Sequence, residues 1–175
     1  MEELLLLRHG KSDWRVSSSD FNRPLKKRGR RGATRIGQWL RDHDLIPDLI
    51  IASPAVRADA TARRCAAAMG LKTSVVVNDG RLYLADLNTL LELLSESSVN
   101  AQRVMLVGHN PGLEELLIHL LDGIQPDSED GKLLPTATVA RLKMANSESS
   151  QGWQGSATLL SLVRARQLEA TNSAA

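Results

Sequence analysis

Disulfide chemistry is missing from this chain, which has one cysteine, Cys65, in 175 residues. A lone cysteine excludes an internal disulfide and a cysteine-based zinc site, and it fits a reducing compartment. It sits in an alanine-rich run of helical character, where a small core filler is its ordinary role. A surplus of one charge is missing too. Lys and Arg number 22 against 20 Asp and Glu, a net +2, so no general nucleic-acid or membrane surface is expected and any basic feature that matters must be local. The apolar runs are too short for a membrane span, and no basic region precedes the first of them as in a secretory signal. The expected location is the cytoplasm. The four histidines have no zinc spacing, and there is no Walker-type loop, dinucleotide glycine fingerprint or Gly-x-Ser-x-Gly elbow.

What is present is a chain long enough to bury a core, expected as one domain over residues 1–166 with a frayed polar tail at 167–175. Leu4-Leu5-Leu6-Leu7 reads as a strand buried on both faces, and it runs straight into Arg8-His9-Gly10. Ser17 to Pro24 is an irregular loop, and Pro24 is expected to open a helix whose inward stripe is Ala33, Ile36, Gly37 and Leu40. The basic cluster from Lys26 to Arg35 could bind an acidic partner, but a solvated helix face is the simpler account. Leu49 to Ala52 is a second strand, and Ser53-Pro54 reads as an N-cap and first helical residue. Val75 to Val77 is a third strand. A helix facing inward through Leu87, Leu90, Leu91 and Leu94 follows. Val104 to Val107 is the fourth strand, and Asn110-Pro111 repeats the cap-plus-proline start. Thr138 to Met144 and Ala157 to Val163 form a late hairpin, with Trp153 packing down its loop. Strands alternating with helices predict a three-layer α/β/α sandwich with a mostly parallel sheet and an antiparallel edge strand.

Three of these strands end alike, in a polar residue followed by a turn or helix: Arg8 and His9, then Ser53 with Arg57 close behind, then His109. If the strands are parallel neighbours, these groups share the crevice at the carboxyl edge of the sheet. Each has a bland reading alone, as a strand-end histidine or a surface arginine. Together, two forked guanidiniums, two helix starts and two imidazoles suit an oxyanion, most simply a phosphoryl group.

Leu6-Leu7-Arg8-His9-Gly10, Ser53 to Ala62, and Val107-Gly108-His109-Asn110-Pro111-Gly112 resemble the three motifs of the histidine phosphatase superfamily, which includes the phosphoglycerate mutases. Lys11-Ser12-Asp13-Trp14, Asp20-Phe21-Asn22-Arg23-Pro24-Leu25, Arg81-Leu82-Tyr83 and Leu134-Pro135-Thr136 are similar to its small SixA-like phosphohistidine phosphatase branch. The resemblance implies a phosphoglycerate mutase-like fold and a phosphatase that needs neither metal nor cofactor. In it His9 is the nucleophile, and Arg8, Arg57 and His109 hold the phosphoryl oxygens. Ser12, Ser53, Asp86 and Asn110 are candidates for support or for an acid, with helix capping the plainer role for Asp86. The glutamate that most members carry after the third strand has no obvious counterpart in Arg81 to Asp86, which fits a phosphohistidine substrate. The implied partner is a phosphorylated protein or a small phosphorylated molecule, met by a monomer. A phosphomonoesterase or mutase is the alternative activity, and a non-catalytic phosphate-binding module is the remaining one.

Overall fold

The computed structural model describes residues 1–97, 101–128, 131–145 and 152–168. Strand β1 (Glu3–Arg8) lies inside a six-stranded sheet, between β4 (Arg103–Gly108) and β5 (Thr138–Met144). The full order is β3 (Val76–Asn78), β2 (Leu49–Ala52), β4, β1, β5, β6 (Ala157–Arg164). The first four are parallel, and β5 runs antiparallel to both its neighbours, β1 and β6.

The unbroken leucine run of β1 follows from burial on both faces. Leu4 and Leu6 pack with Leu90, Leu94, Leu113 and Leu117 of α3 (Leu87–Ser97) and α4 (Gly112–Leu120). Leu5 and Leu7 pack with Ile36, Leu40, Ala62 and Cys65 of α1 (Lys27–Asp42) and α2 (Val56–Ala68). Residues two apart on a strand share a face, so this split makes three layers, helices on each side of the sheet. Cys65 is core filler, and burial pushes its thiol up to about 12. Among the described residues, no helix is long and apolar enough to cross a membrane.

Helix starts are where the structure departs from the sequence pattern. Pro24 does not open α1. Leu25 bridges to Ser12 and the Lys26 amide donates to the Lys11 carbonyl, which keeps the chain extended until Lys27. Ser53 does not cap α2, whose N-cap is Ala55, and Asn110 does not cap α4, whose N-cap is Pro111 after a cis Asn110–Pro111 bond. Val75 belongs to a short 3-10 turn ahead of β3. On α3 the buried stripe is Leu90, Leu93 and Leu94, while Leu87 and Leu91 only border the core. The hairpin β5–β6 forms as expected, and Trp153 donates to Ser95 and packs beside the core. Its loop at 146–151 and most of the expected tail lie outside the described residues.

Candidate active site

Parallel pairing of β1 with β4 sets Arg8 opposite Gly108, so His9 and His109 leave neighbouring strand ends together. The His9 amide extends the pairing by donating to the Gly108 carbonyl (3.1 Å). The two imidazole centroids are 5.1 Å apart. Strand β2 pairs on the far side of β4 and is followed by Ser53, whose amide donates to the Val107 carbonyl. Arg57, in the first turn of α2, reaches back so that its Nε donates to His9 Nε2 at 3.3 Å. Arg8, His9, Arg57 and His109 thus line one open cavity of about 510 Å³.

His9 is oriented from behind. Its Nδ1 lies 2.7 Å from the Gly10 carbonyl, which can only accept, so Nδ1 carries the proton and Nε2 keeps its lone pair. Burial pushes this imidazole down to about 3. The Gly10 carbonyl works the other way, and His109, Arg57 and Arg8 reinforce the fall. Gly10 is required for close approach: a Cβ there would sit 2.6 Å from the Gly29 carbonyl of α1. Its amide donates to the Thr61 hydroxyl, which donates to the Arg57 carbonyl and so joins the two motifs.

His109 Nε2 lies 2.8 Å from the Ser53 hydroxyl, which also accepts from the Ala55 amide. The tautomer of His109 decides which of the two groups donates in that contact. Nδ1 is buried and has no hydrogen-bond partner among the described residues. Burial, with Arg57 next, lowers His109 to about 4. Arg8 donates to the Leu134 carbonyl (2.7 Å), as does the Asn110 side-chain amide (3.1 Å), and Glu114 accepts from the Leu134 amide (2.8 Å). Asn110 therefore anchors the Leu134 loop that holds Arg8.

The Ser17–Pro24 loop contributes more than its sequence suggests. Asp20 accepts from Arg57 Nη2 (2.8 Å), from Arg23 Nη2 (2.6 Å) and from the Tyr83 hydroxyl (2.9 Å). Burial works to raise its carboxyl, but the hydrogen bonds from Tyr83 and Arg57 outweigh it and hold the group at about 2. Arg23 is buried, stacks on Trp14 at 3.5 Å and donates to the Ser12 hydroxyl. In the sequence Asp20, Arg23 and Tyr83 show only as points of resemblance, because an irregular loop has no periodicity to reveal its inward groups. Asp86 is placed elsewhere: its carboxylate accepts from the Thr89 amide at the start of α3, the capping role, and it does not line the cavity.

Residues 4–81 match the family model of the histidine phosphatase superfamily, branch 1. An uncharacterized protein of Mycobacterium tuberculosis is 31% identical over 143 residues, covering 79% of this chain and 87% of the relative. A crystal structure assigned as the phosphohistidine phosphatase SixA of Agrobacterium tumefaciens is 27% identical, with a TM-score of 0.74 over 93% of this chain and 97% of that one. A mycobacterial glucosyl-3-phosphoglycerate phosphatase shares the fold at 20% identity, with a TM-score of 0.66 over 91% of this chain and 97% of that one.

Proposed function

This chain belongs to the histidine phosphatase superfamily, and we propose that it passes a phosphoryl group through a covalent phosphohistidine on His9, with protein phosphohistidine as its substrate. The observation that carries the reading is the state of His9, neutral, with Nδ1 tied to the Gly10 carbonyl and Nε2 facing Arg57 in a cation-rich cavity.

In the first step Nε2 forms a bond to phosphorus as the substrate's P–N bond breaks. A phosphorylated imidazole whose other nitrogen carries a proton leaves as neutral imidazole, so this substrate needs no carboxylic acid at the breaking bond. Arg8 and Arg57 neutralise the phosphoryl oxygens, and His109 in the same lining gives a third donor. In the second step water attacks phosphorus and His9 departs. Because Gly10 already holds a proton on Nδ1, His9 also leaves as neutral imidazole, and the water's protons go to the phosphate product.

The carboxylates support phosphohistidine over an ordinary ester, whose alkoxide does need an acid. Asp20, the carboxylate in the cavity lining, is held ionised, and Asp86 caps a helix. The test is a panel of phosphohistidine protein, phosphoramidate, sugar phosphates and phosphoglycerates, with His9→Ala as the control. The reading requires phosphohistidine turnover to exceed that of every ester and to vanish in His9→Ala. Faster turnover of an ester would transfer the chain to the small-molecule phosphatases of the superfamily.

A further inference from the structure

Beside the catalytic cavity lies a second one of about 180 Å³, and Lys11 and Thr136 line both. Its other walls bring Arg28 from α1, Lys132 from the loop before β5, and Arg164 and Arg166 at and just beyond the end of β6. Among the described residues, no Asp or Glu is in that lining. The side chains of Lys11, Arg28 and Lys132 are exposed and form no ion pair among the described residues. Thr138, also in the lining, has a buried hydroxyl with no hydrogen-bond partner among the described residues. Like charges gathered on Lys11, Arg28 and Lys132 around a concavity favour an entering anion, and low-dielectric walls focus the field that draws one in.

The extent of this surface says what kind of anion it suits. On the other flank of α1, Lys27, Arg30, Arg31 and Arg64 line a second groove, again without a carboxylate among the described residues. Residues 26–35 hold six basic residues and no acidic one, in a chain whose total is only +2. The 16 residues of α1 span about 24 Å, longer than a small phosphate ester. Neither groove has an aromatic in its lining on which a base could stack. An acidic stretch of polypeptide fits this surface better than a single-stranded nucleic acid.

We propose that the Lys11–Arg28–Lys132 cavity is a docking subsite for acidic side chains of the phosphoprotein substrate, next to the phosphohistidine that enters the catalytic cavity. The proposal rests on the protein-phosphohistidine reading. Arg28 and Lys132 line only the flanking cavity, so their charge can be changed without touching the groups around His9. A glutamate at position 28 is also compatible with the first turn of α1.

The test uses two phosphohistidine peptides of equal length, one with Asp and Glu flanking the phosphohistidine and one with Ser and Gly there. Phosphoramidate is the third substrate. Wild type should prefer the acidic peptide by roughly fivefold in kcat/KM at low salt, the worth of two exposed charge pairs, with the preference fading as salt rises. The double variant Arg28→Glu with Lys132→Glu, and the milder Arg28→Ala with Lys132→Ala, should lose that preference and keep full phosphoramidate turnover. Equal use of both peptides by wild type, or a preference that survives in both double variants, overturns the subsite alone. Turnover of phosphoramidate with neither peptide cleaved overturns the protein-substrate reading and the subsite with it. Inhibition by a single-stranded RNA that depends on Arg28 and Lys132, with no effect of peptide flanks, reassigns the cavity and overturns the proposal.

Discussion

Asp20 holds Arg57 by both ends of its guanidinium fork: Nη2 donates to the carboxylate at 2.8 Å and Nη1 to the Asp20 backbone carbonyl. That leaves Nε, 3.3 Å from His9 Nε2, as the edge turned to the nucleophile. A phosphoryl group arriving at His9 meets an arginine already occupied by a carboxylate. Asp20 therefore acts as both brace and rival, positioning Arg57 and competing with the incoming oxyanion for its donors.

Asp20→Asn should separate these two effects. Loss of the negative charge should tighten inhibition by inorganic phosphate about threefold or more, the scale of a partly exposed charge pair. At the same time kcat should fall, because Arg57 and Tyr83 lose a shared anchor. Steady-state kinetics with phosphate as product inhibitor reads both. If phosphoramidate turnover were untouched and only ester turnover lost, Asp20 would be the general acid and the brace would be refuted.

Acid should destabilise the fold before it titrates the carboxylates. Both histidines are held below the ordinary 6.5, His9 at about 3 and His109 at about 4. Between 6.5 and those values the unfolded chain binds more protons than the folded one. Stability is therefore complete above 6.5 and falls as pH drops, by up to about 1.4 kcal/mol per pH unit for each histidine. The lowered carboxyls of Asp20 and Glu3 act only below their unfolded values of 3.8 and 4.5. Urea midpoints from pH 7.5 to 4.5 should decline in wild type, and the decline should be shallower in His9→Asn. Parallel curves would mean that His9 is not buried neutral.

Ser53 holds the His109 ring through one hydroxyl contact of 2.8 Å to Nε2. Ser53→Ala should lower kcat on the order of tenfold with little change in KM, since the His109 ring is no longer held, and cost about 1–3 kcal/mol of stability for the unpaired buried nitrogen. Ser53→Thr, which restores a hydroxyl, should recover part of kcat. A variant that loses stability but keeps kcat would confine Ser53 to packing.

The buried elements were legible because burial leaves a periodic trace. Leu4 to Leu7 and Val104 to Val107 are apolar at every position because helices cover both sheet faces. His9 and His109 stood out because each follows such a run at a strand end, and Arg57 because it comes close behind a third, in the first turn of α2. The helix starts were misplaced for a related reason. Ser53 and Asn110 look like caps, yet one holds His109 and the other the Leu134 loop, and a polar residue before proline has the same appearance in either role. Asp20, Arg23, Tyr83 and Glu114 reach the site from loops or by long side-chain contacts that no local pattern encodes.

The most direct test of the central claim is rapid-quench mixing of the enzyme with phosphoramidate labelled on phosphorus, followed by peptide mapping. The account predicts a transient phosphoenzyme, stable in alkali and labile in acid, located on His9 and absent from His9→Ala, which should also have no turnover. Full turnover in His9→Ala, or label on any other residue, would contradict it.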